Sequence, residues 1–265
     1  MTNRTIESLP AGLQRVVAIK GITALREEPA ESAPLETQVL YGETLGIRSR
    51  IGAWYEASVE FSGFCHTGYV RAEDVADAPG EPTHRVHAHM AQVVSAPGLK
   101  ALNVETLSRG SLLRVVGETE EHYRVWPRGW VFKDHAGDLA RREADFVDTM
   151  ASFAGTPYLW GGRSTLGQDC AGMIQLALSL CGLPSPRAMT DMAEHLGREL
   201  EPREPLRRGD FVFYSAHCGM VLDEERILHG NGRLGYVSIE DRATLHRRMT
   251  ELRGYPLVAR RRLEL

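Results

Sequence analysis

Three side chains in this chain are suited to covalent chemistry together: Cys170, His217 and His229. Cys170 stands in GQDCAGMIQLALSLCGL, residues 167–183, where a glycine-rich loop gives way to a helical pattern. A thiol in the first turn of a helix feels the positive end of the helix dipole, which lowers its pKa and raises its thiolate fraction at neutral pH. A buried structural cysteine gains nothing from that placement, and Cys181, near the far end of the same pattern, reads as the contrasting packing thiol. A thiolate nucleophile needs an imidazole partner. The segments HCGMVLD and ERILHG flank the acidic turn Asp223-Glu224-Glu225, and a hairpin centred on Asp223 sets position 217 directly opposite position 229. Directly paired residues share a face, with Cβ atoms about 4.5–5.5 Å apart. A slip of one residue instead sends the rings to opposite faces. In the paired register one imidazole faces the thiol and the other fixes its tautomer through the remaining nitrogen. His246, in LHRR, reads as part of a solvated helix face.

The elements that must hold these groups begin near Arg141. In RREADFVDTMASFAGTPY the residues Phe146, Met150 and Phe153 fall on one helical face. The Cys170 helix follows, with Met173, Ile174, Ala177, Leu178 and Cys181 as its apolar stripe and Gly182 as its stop. A further helix is expected in SPRAMTDMAEHLGREL, and then four strands, GDFVFYSA, HCGMVLDE, RILHGN and RLGYVSIED. Helices first and antiparallel strands after is an α+β order.

Upstream the grammar is different. From about Ala18 to Asp77 short alternating runs are broken by glycine-containing turns, the pattern of a small barrel. DAPGEPTHR, residues 77–85, is a turn-rich linker, after which YGETLGI, WYEASV and GYV find counterparts in RGSLLRV, HYRVWP and GWV. Two copies about 60 residues apart predict two similar barrels rather than a solenoid. The pattern resembles bacterial SH3 domains. Trp54, Tyr69, Trp126 and Trp130 read first as packing residues of those barrels. The expected organisation is an arm or short helix over 1–17, a first SH3-like unit over 18–79, a second over 84–140 and an α+β domain over 141–265.

The bulk numbers exclude several classes. With 43% hydrophobic and 25% charged residues the chain is globular, and a net charge of -4 offers no basic footprint for nucleic acid. The basic ARRRLEL segment reads as a solvated end. No apolar run approaches the roughly 18 residues of a membrane span, and MTNRTIESLPAGLQRVVAIKG lacks a signal-peptide core, which gives the expectation of a cytoplasmic protein without a membrane partner. The spacing of Cys65, Cys170, Cys181 and Cys218 fits no common metal pattern. Reduced thiols follow as the simpler reading.

In order, TPYLWGG, DCAGMIQ, LRRGDFVFY, HCGMVL and ILHG resemble the NlpC family of papain-like cell-wall peptidases over roughly residues 145–260. The two SH3-like units strengthen the resemblance, since many members carry them. The resemblance implies a papain-like domain with Cys170 as nucleophile, His217 as base and His229 as the third polar residue. It places Tyr158 beside the nucleophile, with Trp160 lining the site. Members with two SH3-like domains and no export signal resemble the dipeptidyl-peptidase VI type. These cleave free murein peptides after γ-D-glutamate, at its bond to a diamino acid, and require a free N-terminal L-Ala. In that branch Asp169 would pair with the L-Ala ammonium, and His66 or Tyr69 of the first SH3-like unit would wall the pocket. Two positions depart from the family pattern: Ala171 stands where serine usually follows the cysteine, and Met189 or Thr190 stands where a substrate-holding hydroxyl is often found. The implied partner is a murein-derived peptide, with neither metal nor organic cofactor. Two other readings are a non-enzymatic peptide-binding protein with a degenerate peptidase domain, and a thiol amidase or acyltransferase acting on another amide.

Overall fold

A computed structural model describes residues 5–6, 9–10, 12–77 and 80–265. The chain divides into two compact units, Met1–Arg142 and Glu143–Leu265. Among the described residues strands dominate the first, and the four α-helices lie in the second.

The first unit holds two hydrophobic clusters. One gathers Val16, Leu25, Val39, Leu45, Val59 and Val70; the other gathers Val86, Val93, Leu107, Leu113 and Val131 with Tyr41. Around the first cluster the strands pair in the order Leu35–Leu40, Ile22–Arg26, Phe64–Arg71, Trp54–Phe61, Thr44–Ile51, Gln14–Ala18, Val75–Ala76, with Thr5–Ile6 added on Phe64–Arg71. Around the second, a five-stranded and a three-stranded sheet form. The expected closed barrels do not emerge from this pairing. Among the described residues each sheet runs as an open path whose end strands do not bond to each other. The expected arm over 1–17 also differs. Gln14–Ala18 is a sheet strand, because its consecutive Val16 and Val17 are β-branched and both find a buried place. Residues 1–4, 7, 8 and 11 of that stretch lie outside the described residues.

The second unit sets helices against a six-stranded antiparallel sheet. Helix α1 (Phe146–Ala151) is started by Asp145, whose carboxylate accepts from the amides of Val147 and Asp148. Phe146, Met150 and Phe153 are buried, as their spacing predicts. Helix α2 (Cys170–Leu180) is buried on almost every face rather than along one stripe, as befits a central helix with packing all round. Helix α3 (Met189–His195) follows, and α4 (Arg242–Arg247) leaves the last of the four expected strands. The sheet order is Arg198–Glu199, Leu257–Arg262, Phe211–Tyr214, His217–Val221, Arg226–Asn231, Tyr236–Asp241. Its first two members correct the expectation of a solvated basic end. Leu257–Arg262 pairs with Phe211–Tyr214, and Arg262, only 6% exposed, bonds both oxygens of the buried Asp210 and reaches Glu204. A charge run can thus serve as an interior strand when every buried cation is paired.

Candidate active site

Cys170 is the first residue of α2, behind an N-cap Asp169 in extended conformation. Asp169 Oδ1 accepts from the Gly172 amide at 2.6 Å, while Oδ2 accepts from the Gly161 amide at 3.0 Å and from Arg187 Nη2 at 2.7 Å. The carboxylate therefore starts the helix, ties down the glycine loop and neutralises the buried Arg187. It is 9% exposed. Two glycines make the placement of the thiol possible. A Cβ on Gly172 would lie 2.0 Å from the Gly162 carbonyl oxygen, and one on Gly230 would lie 2.8 Å from the Cys170 nitrogen. The loop and the His229 strand press that closely on the helix start.

The two imidazoles come together, though not by the expected register. Met220 pairs with Leu228 and Val221 with Ile227, which centres the hairpin one position later than Asp223. Carried along the strands, that register sets His217 opposite Asn231 rather than His229. A shift of two in pairing preserves the face, and His229 becomes the diagonal neighbour of His217. The rings stand edge to face, with centroids 5.0 Å apart, and His217 Nε2 lies 2.9 Å from His229 Nδ1.

The proton arrangement follows from the far end of this chain. His229 Nε2 lies 3.0 Å from Glu240 Oε2, and Arg248 holds both Glu240 oxygens. A carboxylate accepts only, so His229 carries its proton on Nε2 and offers Nδ1 as an acceptor. His217 then donates from Nε2 to His229, which leaves its Nδ1 for the Cys170 sulfur. Burial, and secondarily the positive His217, push the His229 pKa down to about 4, so His229 stays neutral. The Arg248 hydrogen bonds hold Glu240 below the usual carboxylate range.

Cys170 itself is held well below the ordinary thiol range. The largest cause is a hydrogen bond from the Cys218 thiol, and the hydrogen bond and charge of His217 act in the same direction, against the opposing effect of burial. Cys218 is fully buried and held protonated by the same contact. Tyr158 is half-buried, and its pKa is pushed upward first by that burial and then by the negative Cys170 beside it. Its phenol therefore remains a donor.

The other expected site residues are distributed differently. Ala171 is buried in α2 behind the nucleophile. Met189 and Thr190 line a separate cavity of about 470 Å³ with Tyr214, Ser215 and Arg261. Trp160, two residues after Tyr158, is 70% exposed. His66 is 2% exposed and bonded through Nδ1 to Glu36 at 3.0 Å. Tyr69 lies half-buried on the strand Phe64–Arg71, paired with Glu56 and Arg26.

Sequence reasoning missed Cys218, Arg187, Glu240 and Arg248. Glu240 was within reach of it: His229 pairs with Ser238, so a residue two further along shares that face. Among the described residues no group of three or more His, Cys, Asp or Glu side chains is placed to hold a metal ion.

Comparisons with known proteins bear on the same residues. Residues 155–252 match the model of the NlpC/P60 family. The chain is 22% identical over 255 residues to dipeptidyl-peptidase 6 of Lysinibacillus sphaericus, a match covering 87% of this chain and 94% of that protein. It is 25% identical over 221 residues to the γ-D-glutamyl-L-lysine dipeptidyl-peptidase of Bacillus subtilis, covering 74% and 72%. A crystal structure of an NlpC/P60 family protein from Bacillus cereus superposes with a TM-score of 0.77 at 20% identity, covering 94% of this chain and 99% of that one, and so shares its fold.

Proposed function

We propose, from the premise that the chain carries an NlpC/P60 domain and is a cysteine peptidase, that it hydrolyses the amide between γ-D-glutamate and a diamino acid in short murein peptides that begin with L-Ala. The observation that carries the chemistry is the unbroken series Cys170, His217, His229, Glu240, Arg248. The names of the two relatives, with coverage of most of both chains, support the dipeptidyl specificity. In this reading the two clusters of the first unit are SH3-like modules, as their repeated sequence pattern suggests.

The reaction follows from the proton positions. The Cys170 sulfur attacks the γ-carbonyl carbon, and the oxyanion is received by the Cys170 amide at the helix start and by the Tyr158 hydroxyl. The C–N bond breaks as His217 Nδ1–H protonates the leaving nitrogen, giving a thioester and a free amino group. A water molecule then gives its proton to His217 Nδ1 and attacks the thioester, releasing the γ-carboxylate and restoring the thiolate–imidazolium pair. His229 holds the His217 ring and tautomer throughout, and Glu240 does the same for His229.

The test uses the tripeptide L-Ala-γ-D-Glu-diaminopimelate. Wild-type protein is expected to release L-Ala-γ-D-Glu, and Cys170→Ala is expected to release none while keeping its circular-dichroism spectrum. Turnover that survives in Cys170→Ala, or a wild type that leaves this peptide intact, overturns the reading.

A further inference from the structure

Beside His217 lies a cavity of about 280 Å³, walled by Tyr158, His217, Tyr255 and three arginines, Arg233, Arg248 and Arg253. No acidic side chain lines it. Arg248 is neutralised by Glu240. For Arg233 and Arg253 there is no acidic partner and no hydrogen bond to the guanidinium among the described residues. Two uncompensated cations therefore face one small cavity in a chain whose net charge is -4. Like charges placed together without counter-charge repel, and an anion entering between them relieves that repulsion.

Its position in the reaction identifies which part of a substrate enters. The cavity is bounded by His217, His229 and Gly230, and Cys170 is not among its walls. It lies on the imidazole side of the thiol. His217 must hand its proton to the departing nitrogen, so the portion of the substrate attached to that nitrogen occupies the imidazole side.

We propose that this cavity receives the leaving amino acid and that Arg233 and Arg253 select one bearing a second carboxylate. This rests on the hydrolysis proposed above and names its leaving group. A diamino dicarboxylic acid brings two carboxylates to the two guanidiniums, each able to accept paired N–H donors. A lysine in the same place brings the same free ammonium but only one carboxylate, so one guanidinium is left without a counter-charge.

The experiment compares kcat/KM for L-Ala-γ-D-Glu-meso-diaminopimelate and L-Ala-γ-D-Glu-L-Lys on one sample of the full chain. Such a ratio does not depend on how much of the sample is folded. Wild type is expected to favour the dicarboxylate peptide about tenfold, the modest size that solvent-exposed ion pairs allow. The Arg233→Gln/Arg253→Gln double variant is expected to bring the ratio close to one, and Arg233→Lys/Arg253→Lys to restore most of it. A wild-type ratio near one or in favour of lysine, or a ratio untouched by the glutamine pair, overturns the cavity assignment and leaves the hydrolysis standing. Failure of both peptides to be cleaved overturns the hydrolysis and this inference with it.

Discussion

His66 in the first unit and His229 in the second are almost the same object locally. Each is a buried imidazole, 2% and 1% exposed, bonded at 3.0 Å to a carboxylate, Glu36 in one case and Glu240 in the other. They differ in the second ring nitrogen. His66 Nε2 meets no hydrogen-bond partner among the described residues, and the pair ends there. His229 Nδ1 accepts from His217, which in turn faces a thiol at a helix start. A buried histidine–carboxylate pair is thus not a site in itself. It becomes part of one when the nitrogen left over is aimed at a second titratable group whose own proton has somewhere to go.

The contrast can be broken most sharply at His217, the link that His66 lacks. His217→Ala is expected to lower kcat/KM by about 10³–10⁴, the upper range for loss of an acid–base group, measured by release of L-Ala-γ-D-Glu. The next test sets the two pairs side by side. His229→Ala should cost about 10² in the same assay and slow Cys170 alkylation by iodoacetamide, whereas His66→Ala should lower the urea midpoint and leave that alkylation rate unchanged. Equal losses of alkylation from both variants would erase the distinction.

Acid sharpens the comparison by a different route. The His229 pKa is about 4 in the folded protein against 6.5 in an unfolded chain, so between these values the unfolded state binds the proton first. Stability from this group is complete above pH 6.5 and is lost as the pH falls toward 4, by about 2 kcal/mol at pH 5. Urea unfolding at pH 7 and pH 5 should show that difference in wild type and a shallower one in His229→Gln. Glu240→Gln keeps an acceptor for His229 Nε2–H but removes its charge, and about a tenfold loss in kcat/KM is expected. The smallest effect belongs to Cys218. Cys218→Val removes the donor to the thiolate and should raise the Cys170 pKa, slowing alkylation at pH 6 by roughly severalfold. Cys218→Ser keeps a donor and should retain most of the wild-type rate.

Much of the second unit could be read from the sequence. The glycine-rich loop before DCAG marked the helix start, and the apolar spacing marked α1. The register was misplaced by two, yet the parity of the strand kept His217 and His229 on one face. The sequence pattern failed where charge had to be read as interior. Arg187 with Asp169, Arg262 with Asp210, and Arg248 with Glu240 are all pairs in which burial and partner are created together by folding. Neither member of such a pair announces its burial by itself. Cys218 escaped notice for another reason: next to His217 on a strand it reads as one more small apolar residue, and only its contact with Cys170 gives it a role. In the first unit the alternation and turns signalled strands, but not how the ends of each sheet would pair.

The close approach of Gly172 to the Gly162 carbonyl, and of Gly230 to the Cys170 nitrogen, has a consequence for how this protein tolerates change. In a survey of every single replacement, these two positions should be as unforgiving as the nucleophile, although neither has a side chain to offer. Their indispensability would be a matter of vacancy: the strand and loop can lie against the start of the helix only because nothing stands between them.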